Sequence, residues 1–188
     1  MLDRETTPQT EPDVHRAPAP EAETAAAPAA HPGGKDALGR KENLLAPFYK
    51  EMQEVAAEIA PQFTPLGLHF RPEILLATAM QEASPKDPLT TRSFDNGLGI
   101  MQITPYRGKL DAGVAKAIGW DNSKDVETNI KNSNWRSAKP NLTAGALTML
   151  GKARAIKHGV ATVWAEMDEP HRWRAVMLRC APHLGHTS

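Results

Sequence analysis

Ile74-Leu75-Leu76-Ala77-Thr78-Ala79-Met80 is an apolar run interrupted only by Thr78, and it ends in Gln81 and Glu82. A helix apolar on nearly every face belongs inside a fold, so this segment is expected to be a central, buried helix. Pro72 suits its first turn. Pro85 limits its length, because a proline disfavours helix in the residue before it. Glu82 is therefore expected at the C-terminal end of the helix. Burial and the negative end of the helix dipole both disfavour an ionised carboxyl there, which raises its expected pKa toward neutrality. A carboxyl held protonated near neutral pH can act as a general acid. The plain alternative is a solvated glutamate at a helix end.

The rest of the chain also reads as helix. Leu45, Phe48, Met52, Val55 and Ile59 recur at three and four residues, with Pro47 in the first turn and Pro61 expected to close the helix. Residues 85–108 hold several Pro and Gly and read as a loop with a short hairpin. Val114 to Ile118 is expected to be a short helix ending at Gly119, and residues 120–140 an irregular stretch. Asn141 reads as the cap of the clearest helix, with Leu142, Ala146, Met149, Ala153 and Ile156 inward and Gly159 as its stop. A last helix is expected from about residue 171 to 181, burying Trp173, Val176, Met177 and Cys180 and ended by Pro182. No sustained alternation of period two occurs.

The expected fold is thus mainly α. Residues 1–40 are rich in Pro, Ala, Glu and Thr and contain no aromatic residue, so they are expected to be a disordered, linker-like segment preceding a domain over 41–188. Lys+Arg and Asp+Glu are equal at 22 each, which argues against nucleic acid as the main partner. Cys180 is the only cysteine, which excludes an intrachain disulfide and reads as a small core residue. No stretch has the length and apolarity of a membrane span. His183 and His186 follow a helix-stopping proline without acidic or cysteine neighbours, so neither metal nor other cofactor is expected. Trp120, Trp135, Trp164 and Trp173 are candidates for stacking on sugars or, more plainly, for the core.

After Glu82 comes Ser93-Phe94-Asp95-Asn96-Gly97-Leu98-Gly99-Ile100-Met101-Gln102-Ile103-Thr104-Pro105. This resembles the Ser…Gly-Leu-Met-Gln-x-x-Pro element of soluble lytic transglycosylases, in glycoside hydrolase family 23, which also holds the goose-type lysozymes. The resemblance covers about residues 72–108 and is thin elsewhere. It implies a lysozyme-like domain with a loop and hairpin region by the active site. A later element, Asn-Ile-x-x-Gly, is matched loosely by Asn141-Leu142-Thr143-Ala144-Gly145, with Asn129-Ile130 as a second candidate. The family's late Tyr-Asn pair has no counterpart in Leu178-Arg179-Cys180-Ala181-Pro182-His183-Leu184-Gly185.

The resemblance implies cleavage of the β-1,4 bond between N-acetylmuramic acid and N-acetylglucosamine by a muramidase or lytic transglycosylase. Glu82 would protonate the leaving oxygen and then take a proton from water or from the muramic acid 6-hydroxyl. Ser93 matches the loop serine near the catalytic Glu. Met101 and Gln102 match positions that line sugar subsites, and Gly97 and Gly99 allow close backbone approach. Gly99, Ile100, Thr104 and Tyr106 complete the expected substrate-binding set. Asp95 is a candidate second carboxylate for orienting water, or the start of an Asx turn; Asp87, Asp121 and Asp125 are weaker candidates. The alternatives are a chitin-type glycosidase on the same fold, or a non-catalytic glycan-binding or structural module of a phage or secretion machine. Peptidoglycan strands are the expected partner, with an inhibitor or immunity protein and delivery machinery left open. Action is expected in the periplasm or at the cell wall. Met1-Leu2-Asp3-Arg4-Glu5 lacks the basic start and apolar core of a secretory signal, which points to export by a specialised secretion system, a phage particle or host lysis.

Overall fold

Met52, Val55, Ala56, Ile59 and Phe63 are buried at helical spacing, and they define the first long helix. The computed structural model describes residues 41–84 and 86–180. In them a 3-10 turn, Ala46–Phe48, contains Pro47 and leads into α1, Tyr49–Phe63. A second 3-10 turn, Thr64–Leu66, ends on left-handed Gly67. Pro61 does not close α1; the helix runs through it to Phe63. The carbonyl that the proline deprives of a helical donor belongs to Ala57, on the exposed face where solvent is at hand. Two residues further on, Phe63 stacks on Phe70 with ring centroids 4.4 Å apart, and that burial holds the last turn in place.

α2, Pro72–Glu82, has the expected bounds, with Ala83 extended immediately after it. It is not the central helix. Only Leu75, Thr78 and Ala79 within it are buried, while Ala77 and Gln81 face solvent. Small apolar residues favour helix on any face, so the run signals helix formation more than burial. The central position belongs to α5, Ala138–Gly159, which buries Leu142, Ala144, Gly145, Ala146, Met149, Leu150 and Ala153. It packs against α1, α2, a short helix α3 at Ala112–Ile118, and the last helix α7 at Glu169–Cys180. Its N-cap position is Ser137, so Asn141 is a buried residue of the first turn and not the cap.

Gly119 ends α3 in the left-handed conformation, as expected. Residues 120–140 are more ordered than expected: α4, Val126–Asn132, starts on Asp125, whose carboxylate accepts the backbone N–H of Thr128 at 2.8 Å. Beyond α5, Val160 breaks the helical path and α6, Ala161–Glu166, precedes α7. In α7, Trp173 and Val176 are buried, and Met177 and Cys180 partly so.

The fold is mainly helical, and among the described residues there is no strand. The loop region instead carries isolated antiparallel bridges, Arg92 with Leu98, Leu98 with Ile103, and Tyr106 with Lys109. All four tryptophans are core residues, none more than 8% exposed. Each indole N–H has a partner, for example Trp135 to the Ile130 carbonyl at 2.9 Å and Trp164 to the Leu66 carbonyl at 3.0 Å. No helix among the described residues is long and apolar enough to cross a membrane. The linker-like segment 1–40, Pro85, Pro182, His183 and His186 lie outside the described residues.

Candidate active site

The end of α2, the loop 93–106 and the inner face of α5 surround one cleft of about 530 Å³. Thr78 and Glu82 come from α2. Gly145, Thr148, Met149 and Lys152 come from α5, and Val114 from α3. Cys180, at the end of α7, closes one side. The cleft therefore draws on elements far apart in sequence, and α5 forms its floor.

Glu82 is the last residue of α2, half-buried, with its side chain on the cleft. The helix places a carboxyl at the negative end of its dipole, where Lys41 Nζ also donates to the Met80 carbonyl at 2.8 Å. Burial is less complete than expected for a central helix, because α2 lies beside α5 and not at the middle of the fold.

The loop facing it is organised by its own polar groups. Ser93 N–H donates to the Gly97 carbonyl at 2.9 Å, and Asn96 N–H donates to the Ser93 carbonyl at 3.1 Å. Gly97 N–H donates to Ser93 Oγ at 2.8 Å, and the Ser93 hydroxyl donates to the Asp95 carboxylate. Asn96 takes a left-handed φ of 67°, which asparagine tolerates better than most residues. Asp95 acts here as a turn former, accepting from Ser93 and, weakly, from Gly97 N–H at 3.4 Å. Both Ser93 and Asp95 line the cleft.

Met101 and Gln102 reach the cleft by a second device. The side chain of Asn141, fully buried, accepts the Met101 backbone N–H at 2.8 Å and donates to the carbonyls of Leu98 and Trp135, each at 3.0 Å. One turn along α5, Gly145 leaves the space that Met101 fills: a Cβ there would lie 2.6 Å from Met101 Cε and 2.9 Å from its Cβ. Gly99, at φ +69°, has a similar constraint, since a Cβ would fall 2.6 Å from Asn141 Nδ2. Gln102 adopts a positive φ of 46° and folds back so that its Nε2 donates to the Gly99 carbonyl at 2.7 Å. The two sequence elements 97–102 and 141–145 are thus fastened together.

Of the expected substrate-binding residues, Ser93, Met101, Gln102, Thr104 and Tyr106 lie on the cleft with Glu82 and Asp95. Ile100 and Gly99 do not line it. Ile100 is fully buried because its side chain faces the hydrophobic core, and Gly99 is taken up by the contact with Asn141. Asn129, the second candidate for the later element, does not line the cleft: its amide closes the loop 121–129, accepting from Asp121 N–H at 2.7 Å. Asp87, Asp121 and Asp125 are local caps away from the cleft. Hydrogen bonds from Thr90, Ser123 and Thr128 respectively hold their carboxyls below the ordinary aspartate value. Among the described residues, no cluster of His, Cys, Asp or Glu has the makeup of a metal site.

Sequence reasoning missed Phe94, Lys109 and Lys152 on the cleft walls, and Cys180 as a cleft residue. Burial pushes the Cys180 thiol above its ordinary pKa, with Lys152 opposing and Glu82 adding to the rise. Nothing local in the sequence marks Lys152 or Cys180, which meet only through the packing of α5 and α7. No family model, curated protein or solved structure matches this chain.

Proposed function

We propose that this chain is a peptidoglycan-cleaving muramidase or lytic transglycosylase with a lysozyme-like domain, and that Glu82 is its single general acid and base. The observation that carries this reading is Glu82 at the end of α2, inside a cleft whose far wall is the Ser93–Gln102 loop. Cleavage of a glycosidic bond needs a proton delivered to the leaving oxygen as positive charge develops on the sugar ring. Glu82 delivers that proton. The substrate's own 2-acetamido group stabilises the charged ring, so no second catalytic carboxylate is required. Glu82 then takes a proton from water, giving hydrolysis, or from the muramic acid 6-hydroxyl, giving a 1,6-anhydro product. Met101, Gln102, Thr104 and Tyr106 hold the strand, and the enzyme works where its substrate lies, in the periplasm or at the cell wall. A chitin-type substrate on the same cleft is the nearest alternative.

A second reading has its own observation. The end of α7 puts Cys180 on the cleft, with no Tyr-Asn pair in that helix, and this favours a module that binds glycan without turnover.

Digestion of purified sacculi, with products identified by mass, separates these readings. The wild-type chain is expected to release muropeptides, their masses reporting hydrolysed or anhydro ends. Glu82→Gln is expected to bind sacculi and release nothing, because an amide cannot donate the proton. Equal release by the two proteins removes Glu82 from the chemistry, and binding without release by the wild type favours the non-catalytic module.

A further inference from the structure

Phe94 has 93% of its surface exposed, yet it stands on the cleft, on a turn that is held firmly. Single exposed aromatics are ordinary on a protein surface. This one differs in its support. The hydrogen bonds within Ser93–Gly97 close the turn beneath it, and Arg92 braces the outside, donating from Nε to Asn96 Oδ1 at 2.9 Å and pairing with Glu127 at 2.9 Å. A loop fixed before its ligand arrives loses little freedom on binding. Tyr106, 74% exposed, lines the same cleft from the next turn, which Lys109 N–H closes on the Tyr106 carbonyl at 3.0 Å.

Two flat rings at a cleft lined by both apolar and polar groups suit a ligand that is apolar on its faces and polar on its edges. Sugar rings have that character: axial C–H groups cover the faces, and hydroxyl and acetamido groups ring the edge. Gln102, Thr104 and Lys109 on the same walls supply hydrogen-bonding groups for the edge. Resting on the glycan-cleaving reading above, we propose that Phe94 is a specificity-determining platform for the face of an N-acetylated hexose ring, with Tyr106 as a second platform. Phe94 takes no part in proton transfer. It decides which strands lie down in the cleft and in what register.

The test uses the full chain carrying Glu82→Gln, so that binding is read without turnover. Its probes are insoluble sacculi and a soluble N-acetylglucosamine oligomer. Adding Phe94→Ala is expected to weaken binding of both about tenfold, and Phe94→Tyr to restore it, as the ring face demands. In the active chain, Phe94→Ala should raise KM more than it lowers kcat. Melting curves should lie close together, because the residue is almost wholly exposed. Unchanged binding by Phe94→Ala, or a loss that Phe94→Tyr does not repair, overturns the proposal, as does Phe94-dependent capture that the oligomer fails to compete away. If the wild type cleaves and Phe94→Ala is indistinguishable from it, only this inference falls. If the chain binds through Phe94 but never cleaves, the inference stands and the role of Glu82 falls.

Discussion

The backbone N–H of Met101 donates to Oδ1 of Asn141 at 2.8 Å, from a side chain with no solvent exposure. The same amide donates to the Leu98 and Trp135 carbonyls, so one residue of α5 holds the loop at Leu98 and Met101 and ties it to the segment before α5. An asparagine can do this because it offers an acceptor and two donors within one planar group. Replacing it with Leu, of similar size, strips the partner from the Met101 N–H and the Trp135 carbonyl, while the Leu98 carbonyl keeps the Ile103 N–H at 3.1 Å. Asn141→Leu is expected to lose about 2 kcal/mol of stability, measured by urea unfolding, since each orphaned group costs about 1 kcal/mol or more. Glycan binding should fall with it. A loss below about 1 kcal/mol would show that solvent or a shifted loop repairs the site.

Gly145 sets the depth of the cleft at the same point. Its missing side chain is replaced by Met101, whose Cγ would lie 2.7 Å from an added Cβ. Gly145→Ala should push Met101 toward the cleft and destabilise the fold by about 1–3 kcal/mol, the usual range for overpacking. The thioether is flexible, so the lower part of that range is expected. Combining it with Met101→Ala should recover part of the loss, and a double-mutant cycle would read the coupling directly. Additive effects would mean that the two residues do not meet in solution.

The fold was legible wherever burial followed a period. Met52, Val55 and Ile59, and likewise Leu142, Ala146, Met149 and Ala153, mark the inner faces of α1 and α5. Pro72 and Glu82 bound α2 as read. What failed was rank: α2, with its nearly unbroken apolar run, looks more buried in sequence than α5, because composition reports apolarity and not what packs around it. α4 was missed although Asp125 carries a capping signal, since its seven residues, Val126–Asn132, show little apolar period. The candidate site was legible in part as local motifs, since Glu82, Ser93, Met101 and Gln102 share the cleft. Lys152 and Cys180 were not, because tertiary packing alone brings them to the cleft. Ile100 was misread for the converse reason: inside a motif, an apolar residue can face the core.

Glu169 ties the start of α7 to the loop before α2. It accepts His69 N–H at 2.8 Å and contacts His69 Nδ1 at 2.6 Å. Those bonds to His69, side chain first, hold the Glu169 carboxyl below its ordinary pKa. A carboxyl whose folded pKa is depressed stabilises the fold above its unfolded pKa, and that contribution disappears as pH falls through the folded value. Glu169→Gln should therefore be less stable than the wild type near neutral pH. The gap should close in acid below the ordinary glutamate range. Urea unfolding of both proteins across that interval checks the sign, and a gap that widens in acid would contradict the assignment.

Asp95 separates two accounts of turnover. As a carboxylate that orients water, it would be needed in its charged form, and Asp95→Asn would cost orders of magnitude in rate. As a turn former, it needs only the acceptor that takes the Ser93 hydroxyl and Gly97 N–H, which an asparagine Oδ1 also supplies. The bonds within Ser93–Gly97 favour the second account. Asp95→Asn is accordingly expected to keep sacculus cleavage within about threefold of wild type, less than the tenfold that 1.36 kcal/mol of barrier represents. Asp95→Ala removes the acceptor and should lower both binding and cleavage by loosening the turn that carries Phe94. Rate and product mass together decide the matter. Loss of hydrolysed ends in Asp95→Asn, with anhydro ends retained, would restore Asp95 as the residue that positions water.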